Sequence, residues 1–246
     1  MRRPGTLVIR SDDRFSAMLR EAGFEVTNLE LIKTEPLDDL SKLQDKLANL
    51  SAYDGLFFTS PVAAEIFVRE RKRSNGFRGE AYVLGHRAKN ILEHSGIKVK
   101  FSESANTAED LLSSFDVSEF AGKKFLFVRG EKGLRTVPEF LSGWAVVDEV
   151  VVYKTEACDV ERDIIDNLKT RLSTSEISWL CFMSPSGVER FSELFGDVAK
   201  LIRAAVIGTT TADAAKQFGF NIDFISTRSN AEVFARGLIE HMKDIE

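Results

Sequence analysis

A phenol, a set of hydroxyls at helix starts and a pair of arginines are the groups in this chain whose types and spacing could do chemistry. Tyr153 lies in an apolar, strand-like stretch that returns the chain from one half to the other. There its hydroxyl could donate a proton or a hydrogen bond to a leaving group. Aromatic residues also favour strands for packing reasons alone, so residue type does not separate the two readings. Ser60-Pro61 and Ser184-Pro185 each follow an apolar run and open a helical pattern. Serine suits the N-cap, where its hydroxyl can accept a free backbone N–H, and proline suits the first helical position. A plain capped helix explains either copy. Helix starts at the carboxyl edge of parallel strands are also where α/β sheets bind ligands, since free N–H groups and the helix dipole attract anions. Gly208 leads into Thr209, Thr210 and Thr211, a hydroxyl-rich turn, where the matching copy has Gly85, His86 and Arg87. Arg10 and Arg129 end equivalent apolar runs, with Arg14, Lys132 and Arg135 nearby. Solvation explains a single surface base, but arginine at the same strand end in both copies suits a site for a carboxylate-rich molecule.

Other chemistries lack their residues. His86, His94 and His241 fall on unrelated elements without a serine or cysteine nucleophile beside them, and His94 and His241 are expected on exposed helix faces. There is no GxGxxG, Walker loop or HExxH. Cys158 and Cys181 are the two cysteines, without CxxC spacing, which leaves neither a disulfide scaffold nor a zinc site. The 246 residues carry 33 Lys+Arg against 38 Asp+Glu, a net charge of -5, where a general nucleic-acid binder shows a basic footprint. No run is long and apolar enough for a membrane span, and residues 1–10 lack the apolar core of a signal peptide. The expectation is a cytoplasmic protein without cofactor or metal, binding neither nucleic acid nor membrane, and a monomer.

The elements that must position these groups alternate. Apolar runs at 6–10, 25–32, 55–59, 81–84, 99–101, 124–128, 145–153, 179–183, 204–207 and 222–224 predict strands. Helical periodicity between them, as at 61–70, 87–94, 108–115 and 209–218, predicts βαβ units and parallel sheets. Thr107 or Asn106, and Ser229 or Asn230, resemble further N-caps before acidic first turns. The chain also repeats itself. Leu56, Phe58, Ser60, Pro61, Glu65 and Phe67 recur as Leu180, Phe182, Ser184, Pro185, Glu189 and Phe191. Ala81, Val83, Gly85, Gly96 and Phe101 recur as Ala204, Val206, Gly208, Gly219 and Phe224. A third block runs the other way round: Leu7 to Arg10 corresponds to Leu126 to Arg129. The N-terminal block must therefore complete the C-terminal copy. This predicts an α/β fold of two similar lobes with parallel sheets flanked by helices. Residues 1–33 plus 155–246 form one discontinuous domain and 38–149 an inserted one. Residues 34–37 and 150–154 are the two connectors, adjacent strands with an inter-lobe cleft between the domains.

The ordered set of motifs resembles the uroporphyrinogen-III synthase family. It comprises Val152-Tyr153-Lys154-Thr155, Phe182-Met183-Ser184-Pro185-Ser186-Gly187-Val188 and the run Ala205 to Ala212, with Phe58-Thr59-Ser60-Pro61-Val62-Ala63 and Phe127-Val128-Arg129-Gly130. Each motif is short, and the order across nearly the whole chain carries the likeness. The resemblance implies a lyase of tetrapyrrole (haem, sirohaem, cobalamin) biosynthesis that needs no cofactor. Its substrate would be hydroxymethylbilane, a linear tetrapyrrole with eight carboxylate side chains, received by transient hand-over from the preceding pathway enzyme. Loss of the ring-A hydroxyl would give an azafulvene. Attack by ring D through its substituted carbon would give a spiro intermediate, and fragmentation and reclosure would leave ring D inverted. Free substrate closes without inversion, so the task is mainly positioning. Tyr153 would assist hydroxyl departure. Ser60, Ser184, Ser186, Thr210 and Thr211 would line the site as donors, while Arg10 and Arg129 are added by the strand-end argument. His86-Arg87 departs from the commoner family pattern. The alternative is a hinged, two-lobed binding protein for a small polyanion, without catalysis.

Overall fold

In the computed structural model, residues 5–71 and 76–245 are described. Runs such as Gly55–Phe58 and residues 125–128 of Lys124–Gly130 are apolar on both faces, which suits strands covered by helices on either side. The chain starts with β1 (Gly5–Ile9), α1 (Arg14–Glu21) and β2 (Glu25–Asn28), then leaves along β3 (Ile32–Pro36). There follow α2 (Ser41–Ala48), β4 (Gly55–Phe58), α3 (Pro61–Glu70), β5 (Glu80–Val83), α4 (His86–His94) and β6 (Lys98–Phe101). Next come α5 (Ala108–Ser113), β7 (Lys124–Gly130), α6 (Thr136–Phe140) and the long β8 (Val146–Ala157). The remainder is α7 (Arg162–Ser173), β9 (Ile177–Phe182), α8 (Pro185–Phe195), β10 (Arg203–Val206), α9 (Thr209–Gln217), β11 (Asn221–Ile225) and α10 (Ala231–Asp244).

Two units divide these elements: Met1–Lys33 with Glu156–Glu246, and Thr34–Thr155. The first holds a sheet of order β11-β10-β9-β1-β2, and the second a sheet of order β6-β5-β4-β7-β8-β3. Apart from β3 the orders superpose block for block, so the repeat read from the sequence is one architecture built twice. Local chemistry repeats with it. Gly96 and Gly219, one residue past the C-caps of α4 and α9, take φ of 84° and 81°, a left-handed conformation that a β-carbon disfavours.

Each sheet is covered on both faces. In the second unit Leu56, Phe58, Leu126 and Val128 face one core with Ala63, Phe67, Val150 and Val152. Phe57, Phe125 and Phe127 face another with Tyr82 and Phe120. In the first unit Leu7, Ile9, Leu180 and Phe182 face one core, while Val8, Trp179 and Cys181 face the other against Phe15 and Phe234.

The run 25–32, expected as one strand, is split. β2 ends at Asn28, and Ile32 opens a strand that joins the other sheet beside β8. A continuous apolar pattern cannot show that a chain changes sheets, because both pairings want the same residue types. Leu37 N donates to Val152 O at 3.0 Å and Cys158 N to Leu31 O at 2.8 Å, so β3 and β8 run antiparallel. Thr107 and Asn230 do cap helices. Thr107 forms a reciprocal capping box with Asp110, whose carboxyl the bonds from Asn106 and Thr107 hold below its usual range. Among the described residues no helix is long and apolar enough to cross a membrane.

Candidate functional site

The carboxyl edge of the second sheet is built by register. Phe58 of β4 pairs with Val128 of β7, and Val128 with Val150 of β8. Beyond this the ladder slips, for Arg129 pairs with Val151 and Gly130 with Tyr153. One step on β7 is thus matched by two on β8, a bulge that re-aims the following side chain. Strict alternation would turn Tyr153 away from the face occupied by Val152. The extra residue instead sets it opposite Gly130, packed against the core that contains Val128, Val150 and Val152.

The Tyr153 ring covers Gly130. A β-carbon at position 130 would fall 2.7 Å from the tyrosine hydroxyl and closer still to Cζ and Cε2. The other two tyrosines are occupied elsewhere. Tyr53, before β4, donates to Asp148 Oδ2 at 2.6 Å at the amino edge of the sheet. Tyr82 lies inside the aromatic core, stacked on Phe57 at 4.9 Å, and burial, with Glu119 and Glu80 nearby, pushes its hydroxyl up to about 12. Tyr153 alone stands at the carboxyl edge, half-buried, and no described residue bonds its hydroxyl.

Arg129 is placed differently from the expectation of a base open to ligand. Its side chain is 10% exposed and closes the loop after β7. It donates to Gly133 O at 3.2 Å, to Glu131 O at 3.3 Å and to Glu149 Oε2 at 3.4 Å. Arg135 donates to the other oxygen of Glu149 at 2.7 Å, and Glu131 N to Tyr153 O at 2.9 Å. Loop, glutamate and tyrosine backbone are therefore one hydrogen-bonded unit. Ser60 occupies the N-cap of α3 with Pro61 at the first turn, but its hydroxyl makes no capping bond. The expectation of a capping hydroxyl is corrected there, and the group is half-buried at the sheet edge.

In the first unit the neighbouring strands β10, β9 and β1 bring their carboxyl ends to one edge. Ser184 caps α8, accepting from Gly187 N at 3.1 Å, and its hydroxyl lies 3.3 Å from that of Ser186. Thr210 is exposed in the first turn of α9, whereas Thr211 is buried with 3% exposure, so the turn presents the first hydroxyl and not the second. Arg10 follows β1, is partly exposed and pairs with Asp13 at 3.0 Å, the residue that caps α1. The structure thus gathers Arg10, Ser184, Ser186 and Thr210 at one sheet edge, and Ser60, Arg129 and Tyr153 at the other.

The histidines and cysteines form no catalytic set. His86 pairs with Glu103 at 3.1 Å. His241, expected on an exposed helix face, packs instead against Trp179 and Phe224 and meets Asp223 at 3.2 Å. Cys181 is fully buried, and burial pushes its thiol up, away from the reactive thiolate. No described group of three His, Cys, Asp or Glu could hold a metal ion. Gly130 and Glu149 are the residues that sequence reasoning passed over. Gly130 stood within a quoted motif, but its pairing with Tyr153 exists only in the ladder.

Comparison with known proteins agrees with this architecture. Residues 13–235 match the family model described as uroporphyrinogen-III synthase HemD. The chain is 28% identical to the uroporphyrinogen-III synthase of Chlorobaculum parvum over 204 residues, 79% of this chain and 82% of that one. It is 24% identical to the Schizosaccharomyces pombe protein of that name over 210 residues, 80% of each. The fold matches a mutant form of uroporphyrinogen III synthase from Thermus thermophilus, with a TM-score of 0.66 at 16% identity, covering 97% of this chain and 99% of that one. It also matches uroporphyrinogen-III synthetase of Helicobacter pylori, with a TM-score of 0.62 at 18% identity, covering 98% and 99%. With the duplicated fold and a family match over most of its length, this chain belongs to the uroporphyrinogen-III synthase family.

Proposed function

We propose that Tyr153 assists departure of the ring-A hydroxyl when this uroporphyrinogen-III synthase cyclises hydroxymethylbilane. The observation that carries the reading is the bulge in β8, which sets a phenol over Gly130 at the carboxyl edge with its hydroxyl unbonded among the described residues. A proton passing from the phenol to the hydroxyl releases water and leaves the azafulvenium cation, its pyrrole N–H retained, beside the phenolate. The proton lost when the final ring closure restores aromaticity at ring D returns to the phenolate, so the sequence closes with water as the by-product. No step needs a strong base or a metal, which suits an edge of hydroxyls and helix starts.

The remaining residues bind and orient. In this reading Ser60, Ser184, Ser186 and Thr210 offer hydroxyls, and the first turns of α3, α8 and α9 offer backbone N–H groups to carboxylates. Arg10 supplies charge, Thr211 acts through the backbone of its turn, and Arg129 acts through the loop it closes. Holding ring D so that its substituted carbon attacks is a matter of geometry, and fixed geometry is worth several orders of magnitude in rate. The chain works as a cytoplasmic monomer that takes substrate from the preceding enzyme, because substrate left in water closes to the non-inverted isomer.

The test is Tyr153→Phe, supplied with enzymatically generated hydroxymethylbilane and read by chromatography of the oxidised porphyrins. Turnover falls by on the order of 10²-fold or more, with type I product rising as free substrate closes unaided, while the far-UV spectrum is unchanged. Wild-type turnover in the variant would remove the role.

A further inference from the structure

We propose that Gly130 is a positioning residue for the cyclisation, seating the Tyr153 ring in the space that any β-carbon at position 130 would take. The inference rests on the reading of Tyr153 above and adds what fixes that ring. Three observations converge. A β-carbon on Gly130 would lie 2.7 Å from the tyrosine hydroxyl and nearer to two ring carbons, well inside van der Waals contact. Gly130 is the residue paired with Tyr153 across the bulge, so backbone register and side-chain packing meet at one point. The backbone on both sides is held: Glu131 N donates to Tyr153 O at 2.9 Å, Gly133 N donates to Gly130 O at 3.1 Å, and Arg129 clasps the loop carbonyls. Neither partner can yield by moving the main chain, so an added methyl group must displace the ring. Left-handed backbone is not the reason for glycine here, since Gly130 is absent from the positive-φ positions among the described residues. Close approach is the reason.

The test uses Gly130→Ala in the full chain, with 3-fluorotyrosine replacing all three tyrosines. Loss of one fluorine resonance in Tyr153→Phe assigns that signal. Gly130→Ala shifts it and leaves the Tyr53 and Tyr82 signals in place. Turnover falls by on the order of 10²-fold, the cost of misplacing a catalytic group by about an ångström, with little change in KM. The double variant Gly130→Ala/Tyr153→Phe is no slower than Tyr153→Phe, because the glycine acts through the hydroxyl. An unmoved resonance, unchanged turnover or additive losses would each overturn the proposal. If Gly130→Ala does not fold, Gly130→Ala/Tyr153→Ala removes the ring. Recovered folding supports the contact, and failure to recover refutes it. Full activity in Tyr153→Phe would withdraw the acid role, and the resonance would still decide whether Gly130 seats the ring.

Discussion

Replacing Asp148 by asparagine removes the charge around which the amino edge of the second sheet is organised. Asp148 Oδ2 accepts from Tyr53 at 2.6 Å and from Lys46 at 2.9 Å, and lies 3.3 Å from Lys124 Nζ. These donors, Tyr53 first and Lys46 next, hold the carboxyl down to about 2 from 3.8. Each pH unit of that depression is worth about 1.4 kcal/mol, so the charged form contributes about 2 kcal/mol, and partial exposure of the group reduces this to about 1–2 kcal/mol. A depressed carboxyl stabilises the fold above its unfolded value, and the contribution disappears as pH falls through the folded one. The window is therefore between about pH 4 and pH 2. Urea unfolding of wild type and Asp148→Asn, followed by circular dichroism, shows a gap of about 1–2 kcal/mol at pH 7 that closes across that window. Turnover at pH 7 is retained, since Asp148 pairs with Leu126 near the start of β7 and Tyr153 lies at the other end of that ladder. A gap that persists to pH 2, or none at pH 7, would refute the assignment of stability to this charge.

Three further perturbations separate capping from binding and weigh the core. Ser184→Ala loses the bond to Gly187 N, lowering stability by about 1 kcal/mol as well as raising KM, whereas Ser60→Ala, with no capping bond to lose, raises KM while its denaturation midpoint stays put. Equal destabilisation of the pair would contradict the capping geometry. Phe57→Ala, stacked on Tyr82 and 5.2 Å from Phe125, costs about 3–5 kcal/mol in urea denaturation, and a loss below 1 kcal/mol would mean the aromatic core is not close-packed.

How far the chain could be read depends on the range of the force concerned. Strand and helix positions were legible because their signals are local, as at Ser184-Pro185 and Thr107 to Asp110. The permuted duplication was legible because the same local signals occur twice in rotated order. The candidate site was legible in part. Tyr153 stood out as a phenol in the apolar stretch that returns the chain from one half to the other, but nothing in its neighbours shows Gly130 beneath it. Arg129 and Arg10 read alike in sequence and differ in structure. Arg129 finds carbonyls of its own loop and Glu149, while Arg10 finds Asp13 within one helical turn. Thr210 and Thr211 likewise read alike, and the phase of α9 against its sheet exposes one and buries the other.

The sequence by itself determined the pair of α/β units, their order along the chain, and the helix starts that gather at the carboxyl edges. Those follow from hydrophobic periodicity and capping, which act over a few residues. Tertiary structure alone decided that β2 and β3 part company after Asn28, that β8 bulges beside Gly130, and that this bulge turns Tyr153 onto the face of Val128. A bulge is a mismatch between two strands distant in sequence, so its position is a property of their pairing and is written in neither strand alone.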